Sequence, residues 1–186
     1  MKGSPVTEEE DIIQRCLNGE RDAFSIFVEN YQKMVYTVAY RMLGDESAAK
    51  DAAQDSFIAA YVSLKNFKKD SKFSTWLVSI AINKCRSILR SKKEAVSLTE
   101  VEDILRSHDA DPEELLDKRQ AEGLLQAALN RLPREYREAI VLKHIQELDY
   151  HEMAALSGMS IGALKVRVHR GREMLRELLK RGGIRR

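Results

Sequence analysis

Apolar residues along this chain recur every three or four positions, which is the spacing of amphipathic helices. A short first helix ends near Gly19, and Thr7 with Glu10 forms its capping box. Longer stripes predict further helices over residues 22–43, 46–64, 74–90, 112–131 and 134–146. No segment alternates polar and apolar residues as a half-buried strand would. The pattern therefore predicts an all-α protein.

Helix-start motifs, and a stretch without helical periodicity, divide the predicted helices into two groups. Asp45 caps the third helix, while Asp111 and Pro112 form a strong helix start later in the chain. Between the groups, residues 94–111 lose the helical period and become polar and acidic. We interpret this stretch as a linker, with a weak helical turn around residues 101–106.

The stretch 149–172 has the features of a helix-turn-helix. Asp149 and Glu152 have capping-box spacing, so a helix should begin there. Gly158 suits the left-handed conformation that closes a helix, and Ser160 can cap the helix that follows.

The second helix of this motif has an apolar face and a cationic outer face. The face predicted to be buried comprises Ile161, Leu164, Val168, Gly171 and Leu175. The outer face and its edges carry Gly162, Ala163, Lys165, Val166, Arg167, His169, Arg170, Arg172 and Arg176. Small residues followed by a cationic rim suit a helix that enters the DNA major groove while its flanks contact phosphates. An ordinary helix with a solvated basic face is the alternative.

Charge is sorted along the sequence, although the formal net charge is only +2. Residues 63–93 contain nine Lys or Arg and one acid, and residues 161–186 contain nine Lys or Arg and two acids. Residues 100–122 contain nine acids and three bases. Two basic regions around an acidic middle predict two DNA-facing modules joined by a segment that avoids DNA.

The first basic region places Phe67 and Phe73 among lysines, before a helix with Trp76 and Asn83. This arrangement suits single-stranded nucleic acid, because bases stack on aromatic rings while lysines hold the backbone. For Phe67 and Trp76, packing in the protein core is an equal alternative. Asn83 interrupts an apolar run, so its amide is either a base reader or a buried cap.

Residues capable of catalysis or metal binding are too scattered to predict either. Cys16 and Cys85 lie among apolar helical residues and suit buried, reduced thiols. The histidines have no partners at zinc spacing, and the Asp51 and Asp55 carboxylates lack surrounding pocket chemistry. No signal peptide or membrane span is indicated. We therefore expect a cytoplasmic protein that is not an enzyme and has no metal or cofactor.

Four segments resemble, in order and spacing, the extracytoplasmic-function (ECF) group of bacterial sigma factors. They read DAFSIFVENY, YRMLGDESAAKDAAQDSFIAAY, FSTWLVSIAINKCRS and LPREYREAIVLKHIQELDYHEMAALSGMSIGALKVRVHRGRE. The resemblance implies sigma domain 2 over residues 1–93, a flexible linker over 94–111 and sigma domain 4 over 112–186. It also implies a factor that binds core RNA polymerase, directs it to promoter DNA and is held inactive by an anti-sigma factor.

The family's functional roles carry over to three sets of residues. Contact with core polymerase is implied for Asp51, Gln54, Asp55 and Phe57. Recognition and melting of the −10 element are implied for Lys69, Lys72, Trp76, Asn83 and Arg86. Recognition of the −35 duplex is implied for Lys165, Val166, Arg167, His169, Arg170 and Arg172.

One departure from the family concerns the −35 reading helix. Many relatives read G-T-V-K-[ST]-R where this chain reads GALKVR, so Ala163 and Val166 lack two hydroxyls. Val166 offers an apolar contact instead, for example to a thymine methyl. Two other interpretations remain: a stand-alone helix-turn-helix regulator with an N-terminal dimerisation or sensor bundle, and a helical enzyme or structural protein with a fortuitous motif.

Overall fold

Helices make up every regular element in the residues described by the computed structural model, 8–96 and 113–181. They are α1 (Glu8–Leu17), α2 (Ser25–Leu43), α3 (Glu46–Ser63), α4 (Phe73–Val96), α5 (Glu113–Arg131), α6 (Arg134–Ile140), α7 (Tyr150–Ser157) and α8 (Ile161–Arg181). The all-α prediction is confirmed. The predicted caps at Thr7 and Asp111, and the predicted turn around 101–106, lie outside the described residues.

Contacts divide the described chain into two compact units. The first contains residues 8–40 and 45–84, and the second contains residues 41–44, 85–96 and 113–181. Both α2 and α4 therefore contribute residues to both units.

Aromatic rings form the centre of the first unit. The fully buried rings of Phe27 and Phe73 stack with their centroids 4.0 Å apart. Phe67 and Trp76 lie 5.1 Å apart, and the centroids of both lie within 6 Å of that of Phe73. Both are half-buried, so these two aromatics serve the core while one side of each meets solvent. The apolar stripe predicted for α2 is confirmed, since Val35 is also fully buried.

The second unit is built around α8, against which α5, α6 and α7 pack. Its buried cluster comprises Leu129, Leu132 and Ile140, with Leu125, Ile145, Leu175 and Leu178 packed around it. These apolar residues come from α5, α6, α8 and the turn after α6, so the position of α8 is fixed from several directions.

A π-helical turn over Val141–Ile145 interrupts the helix predicted for residues 134–146. The predicted packing stripe left His144 and Ile145 as alternatives, and the structure exposes His144 while Ile145 packs against the core. A π-turn inserts an extra residue and shifts the register of the stripe. Val141 and Leu142, the first two residues of the turn, are both buried.

Candidate nucleic-acid interface

The helix-turn-helix begins at a complete capping box. The Asp149 carboxylate accepts hydrogen bonds from the backbone N–H groups of His151 (2.7 Å) and Glu152 (2.8 Å), and the Glu152 carboxylate accepts one from the Asp149 backbone N–H. The bond from the Glu152 backbone, supported by that from His151, lowers the pKa of Asp149. These contacts satisfy N–H groups that a helix start otherwise leaves unpaired.

The turn between α7 and α8 uses the two residues expected from the sequence. Gly158 has a φ of 68°, in the left-handed region that a glycine adopts without strain. The Ser160 hydroxyl oxygen accepts a hydrogen bond from the Ala163 backbone N–H at 3.2 Å, which caps α8. The predicted helix-turn-helix is therefore present in full.

The inner face of α8 is buried as predicted at its centre, while Ile161 and Leu175 are only half-buried. Leu164 and Val168 are buried, and Gly171 lies close to α6. A Cβ at Gly171 would approach Cγ1 of Ile140 to 3.0 Å and the backbone oxygen of Tyr136 to 3.2 Å. The small residue thus allows α8 to approach α6 closely and defines which face of α8 points outward.

The residues predicted to read the −35 duplex lie on the opposite face of α8. Those that are exposed are Lys165, Val166, His169, Arg170 and Arg172, and Arg167 is half-buried. Val166 is 51% exposed, so its methyl groups are available to a partner. The Nδ1 atom of His169 lies 3.7 Å from a carboxylate oxygen of Glu173.

Two further residues beside this face were missed by the sequence analysis. The ammonium of Lys143 lies 5.0 Å from the centroid of the Tyr150 ring, and that of Lys165 lies 5.8 Å from it. No periodic pattern could have related Lys143 to Tyr150, because the π-turn between α6 and α7 sets their relative positions. Partial desolvation, together with the cations of Arg172 and Lys143, lowers the pKa of His144.

The residues predicted to contact the −10 element extend from the loop before α4 to the middle of α4. Lys69 has a φ of 59°, and its ammonium lies 3.5 Å from a carboxylate oxygen of Glu10. Lys72 and Asn83 are exposed, and Trp76 is half-buried. The structure therefore places the polar groups of Lys72 and Asn83 at the surface and leaves part of the Trp76 side chain accessible to solvent.

Arg86, the last residue of the −10 set, has a carboxylate partner within the second unit. Its guanidinium donates two hydrogen bonds to Glu138, from Nε at 2.9 Å and from Nη2 at 2.5 Å. The hydrogen bond with Glu138 raises the pKa of Arg86. A bidentate pair of this kind is strong and directional, so a DNA phosphate would have to compete with Glu138 for Arg86.

The residues predicted to contact polymerase lie on α3. Asp51, Gln54 and Asp55 are exposed, and Asp55 lies 3.5 Å from the Lys84 ammonium. Phe57 is only 8% exposed, so its ring belongs mainly to the core, although it lines a surface groove of about 500 Å³ together with Gln54.

Two exposed apolar side chains on α3 were not singled out from the sequence. Ile58 and Val62 are 56% and 69% exposed, respectively. They follow Asp51, Gln54 and Asp55 at helical spacing, so they extend the same face of α3. The sequence pattern could not reveal this exposure, because whether an aliphatic residue of α3 is buried depends on how α3 packs.

No other chemistry emerges from the residues that the structure describes. Within 8–96 and 113–181, no three His, Cys, Asp or Glu residues are grouped as metal ligands would be. The described helices include none that is long and apolar enough to cross a membrane. Cys16 and Cys85 are buried free thiols, and burial raises the pKa of Cys85 to about 12.

Comparison with known proteins matches two family models to the two ends of the chain. Sigma-70 region 2 matches residues 27–95, and Sigma-70 region 4 matches residues 122–175. The ECF RNA polymerase sigma factor SigW of Bacillus subtilis is 37% identical, over 90% of this chain and 95% of SigW. The sigma factor CarQ of Myxococcus xanthus is 32% identical, over 90% of this chain and 95% of CarQ.

Two solved structures are similar in fold. The sigma factor RpoE of Bartonella quintana, crystallised with the anti-sigma factor NepR, has a TM-score of 0.69 and 28% identity, over 84% of this chain and 96% of RpoE. CnrH, solved with the cytosolic domain of CnrY, has a TM-score of 0.67 and 27% identity, over 91% of this chain and 95% of CnrH.

Proposed function

The chain belongs to the ECF sigma factors of bacterial RNA polymerase, and from this premise we propose how its residues divide the work of promoter-specific initiation. It is a non-enzymatic initiation factor that binds core RNA polymerase and promoter DNA. It acts in the cytoplasm, where bacterial polymerase and chromosome meet. The observation that carries the proposal is the fully capped helix-turn-helix, which presents a cationic face of α8.

Residues 112–186 act as sigma domain 4 and bind the −35 duplex. The exposed side chains of α8 read the groove and contact phosphates, as the order of small and cationic residues indicates. Val166 contributes an apolar contact in place of a hydroxyl, so the preferred −35 sequence differs at one position from that of relatives with Ser or Thr there.

Residues 1–93 act as sigma domain 2 and open the −10 element, and residues 94–111 link the two domains. Asn83 accepts an extruded base, while Lys69 and Lys72 hold the displaced backbone and Trp76 supports the site. Extrusion of a base costs a few kcal/mol, so an amide and a nearby ring suit this task better than lysines alone.

The exposed face of α3 docks on core polymerase. Asp51, Gln54 and Asp55 make polar contacts, and Phe57 supports them from the wall of the groove. An anti-sigma factor blocks these functions until it is released. The support for this regulation is that RpoE, which this chain resembles, was solved in complex with the anti-sigma factor NepR, and CnrH in complex with the cytosolic domain of CnrY.

The test is run-off transcription with sigma-free core polymerase on a pool of genomic promoters, with and without the chain. Discrete transcripts that depend on the chain are expected, and the aligned upstream sequences should contain −35 and −10 elements. Arg170→Ala should weaken −35 binding and reduce these transcripts. Lys180→Ala is the matched control, because it removes one exposed cation from the same helix outside the reading set.

Each other outcome has a definite meaning. If core polymerase does not bind the chain, the sigma proposal is wrong, and a stand-alone regulator becomes the leading hypothesis. A stable complex with palindromic DNA in the absence of polymerase would favour that regulator. If Arg170→Ala and Lys180→Ala behave alike, Arg170 does not read the promoter.

A further inference from the structure

Tyr150 is contacted by two lysines from different elements of the second unit. Lys143 belongs to the π-turn and Lys165 to the outer face of α8. Their ammonium groups lie 5.0 and 5.8 Å from the centroid of the Tyr150 ring. Both distances fall within the range of about 6 Å in which an aromatic ring attracts a cation.

Contacts of the cap and of Lys143 fix the backbone around the ring. Tyr150 is the first residue of α7, directly after the Asp149 cap. On the other side, Lys143 is anchored because its ammonium donates a hydrogen bond to the backbone oxygen of Leu148 at 2.9 Å. The backbone that carries the ring, and the first lysine beside it, are therefore held by contacts that do not involve Lys165.

Lys165, in contrast, is an exposed side chain at the edge of the DNA-facing surface of α8. A lysine side chain has many rotamers, and ordering it on a ligand costs conformational entropy. Contact with a fixed ring restricts the ammonium before the ligand arrives, which lowers that cost.

We propose that Tyr150 is a positioning residue for Lys165, holding its ammonium where a backbone phosphate of the −35 duplex binds. The proposal deepens the function given above and rests on it. Phosphate is the ligand because Lys165 lies at the edge of the reading helix, where backbone contacts are made, and because an ammonium is a point charge that binds phosphate without needing one fixed orientation. Lys143 adds a second cation on the same ring, which strengthens the local attraction for an anion.

The experiment measures closed-complex affinity of holoenzyme for promoter duplex as a function of salt concentration. The variants are Tyr150→Phe, Tyr150→Leu, Lys165→Ala and the double variant Tyr150→Leu/Lys165→Ala. Tyr150→Phe keeps the ring and should bind within about twofold of the unchanged chain. Tyr150→Leu should bind about threefold to fivefold more weakly, the scale expected for loss of one exposed cation–π contact.

Two readouts separate positioning from simple packing. The slope of log affinity against log salt should fall toward that of Lys165→Ala, a decrease of about one for a single phosphate contact. The double variant should bind like Lys165→Ala alone, because Tyr150 acts through Lys165. If Tyr150→Leu does not fold, Tyr150→Met is a second variant without an aromatic ring, with a side chain similar in volume to leucine. Binding to core polymerase checks that each variant is folded.

Three results would overturn the inference alone, with promoter selectivity of the unchanged holoenzyme intact. The first is an equal loss of promoter affinity from Tyr150→Leu in the presence and absence of Lys165. The second is an unchanged slope of affinity against salt, and the third is a Tyr150→Phe variant that binds as weakly as Tyr150→Leu. An unchanged holoenzyme that does not prefer promoter over random DNA would overturn the proposed function, and this inference with it.

Discussion

Asn83 is an exposed amide in the middle of α4, and we propose that it binds a base that has left the duplex. We predict that Asn83→Ala lowers open-complex formation about tenfold, since the hydrogen bonds of one side chain to a base contribute about 1–3 kcal/mol. Closed-complex binding should change little, because no base is extruded at that stage. The measurement is permanganate reactivity of the −10 strand beside a filter-binding assay.

Ser87→Ala is the control for this variant, because Ser87 is exposed one turn further along α4 and is not among the predicted contacts. It should leave both steps unchanged. If Asn83→Ala weakens the closed and open complexes equally, its amide supports the fold of α4 and does not read a base.

Glu147 has a φ of 55°, in the left-handed region that is costly for a residue with a side chain. The residue lies between the π-turn and α7, where the chain must turn sharply. We predict that Glu147→Gly raises the free energy of unfolding by about 0.5–1 kcal/mol, because relief of the strain exceeds the entropy that glycine adds to the unfolded chain. Urea unfolding followed by circular dichroism measures the change.

Glu147→Ala separates backbone strain from loss of the carboxylate, because alanine keeps a Cβ in the same conformation. It should give no such gain. If Ala stabilises as much as Gly, the benefit comes from removing a negative charge and the strain argument is wrong.

At the scale of a single element, α7 depends on a cap whose charge can be titrated. The pKa of Asp149 is lowered in the folded state, so its stabilising contribution is present above the ordinary carboxyl range and is lost as pH falls through the folded value. Asp149→Ala should therefore lower the melting temperature at neutral pH, and the gap to the unchanged chain should narrow below about pH 4.

Asp149→Asn provides the comparison, because an asparagine oxygen can cap a helix without carrying charge. At neutral pH it should melt between Asp149→Ala and the unchanged chain, because it keeps the capping oxygen but lacks the charge whose stabilising effect lowers the pKa of Asp149. A gap between Asp149→Ala and the unchanged chain that stays constant from pH 7 to pH 3 would mean that the charge of the cap does not matter.

The packing of α8 on α6 depends on one missing side chain. A Cβ at Gly171 would lie 3.2 Å from the backbone oxygen of Tyr136, which cannot rotate away as a side chain can. We predict that Gly171→Ala lowers the free energy of unfolding by about 1–3 kcal/mol through overpacking, despite the better helix propensity of alanine.

Gly123 in α5 is the matched control, because a Cβ there would meet nothing within 4 Å. Gly123→Ala should raise the free energy of unfolding by up to about 1 kcal/mol, as expected in a helix interior. Thermal or urea unfolding measures both variants. Stabilisation by Gly171→Ala would show that α6 and α8 separate at little cost.

Sequence motifs predicted well those helix ends and turns that depend only on neighbouring residues. The capping box at Asp149 and the left-handed Gly158 are decided within a few residues, and both are present as predicted. The π-turn at Val141–Ile145 is different, because an insertion of one residue has no capping or turn motif that marks it in the sequence. The exposure of His144 and the contact of Lys143 with Tyr150 follow from that turn and could not be predicted.

For the whole molecule, the sequence predicted helical architecture but not contacts between distant positions. Arg137 lies in a stripe-forming helix, yet its guanidinium is buried and donates a hydrogen bond to the backbone oxygen of Met42 (2.7 Å), besides those to the backbone oxygens of Asn130 (2.6 Å) and Leu132 (3.3 Å). Burial lowers the pKa of Arg137. Likewise, the pairing of Arg86 with Glu138 joins residues that lie far apart in the sequence. Such partners depend on the three-dimensional packing, which periodicity does not encode.

The two proposed DNA contacts gain their strength from being made together. Each site alone is weak, and simultaneous binding on one scaffold can increase affinity by about 10²–10⁴ without any new contact.

Duplex DNA turns once in about 10.5 base pairs, so an insertion of five pairs between the −35 and −10 elements moves the −35 site to the opposite side of the helix. We predict that this insertion reduces run-off transcription at least about tenfold, because α8 can no longer reach its site while domain 2 holds the −10 strand. A spacer of unchanged length but altered sequence is the control, and it should retain activity. The five-pair insertion should reduce transcription by the Arg170→Ala variant much less than transcription by the unchanged chain, since the −35 contact of the variant is already impaired. Transcription that tolerates the insertion would mean that the two contacts are not made at the same time.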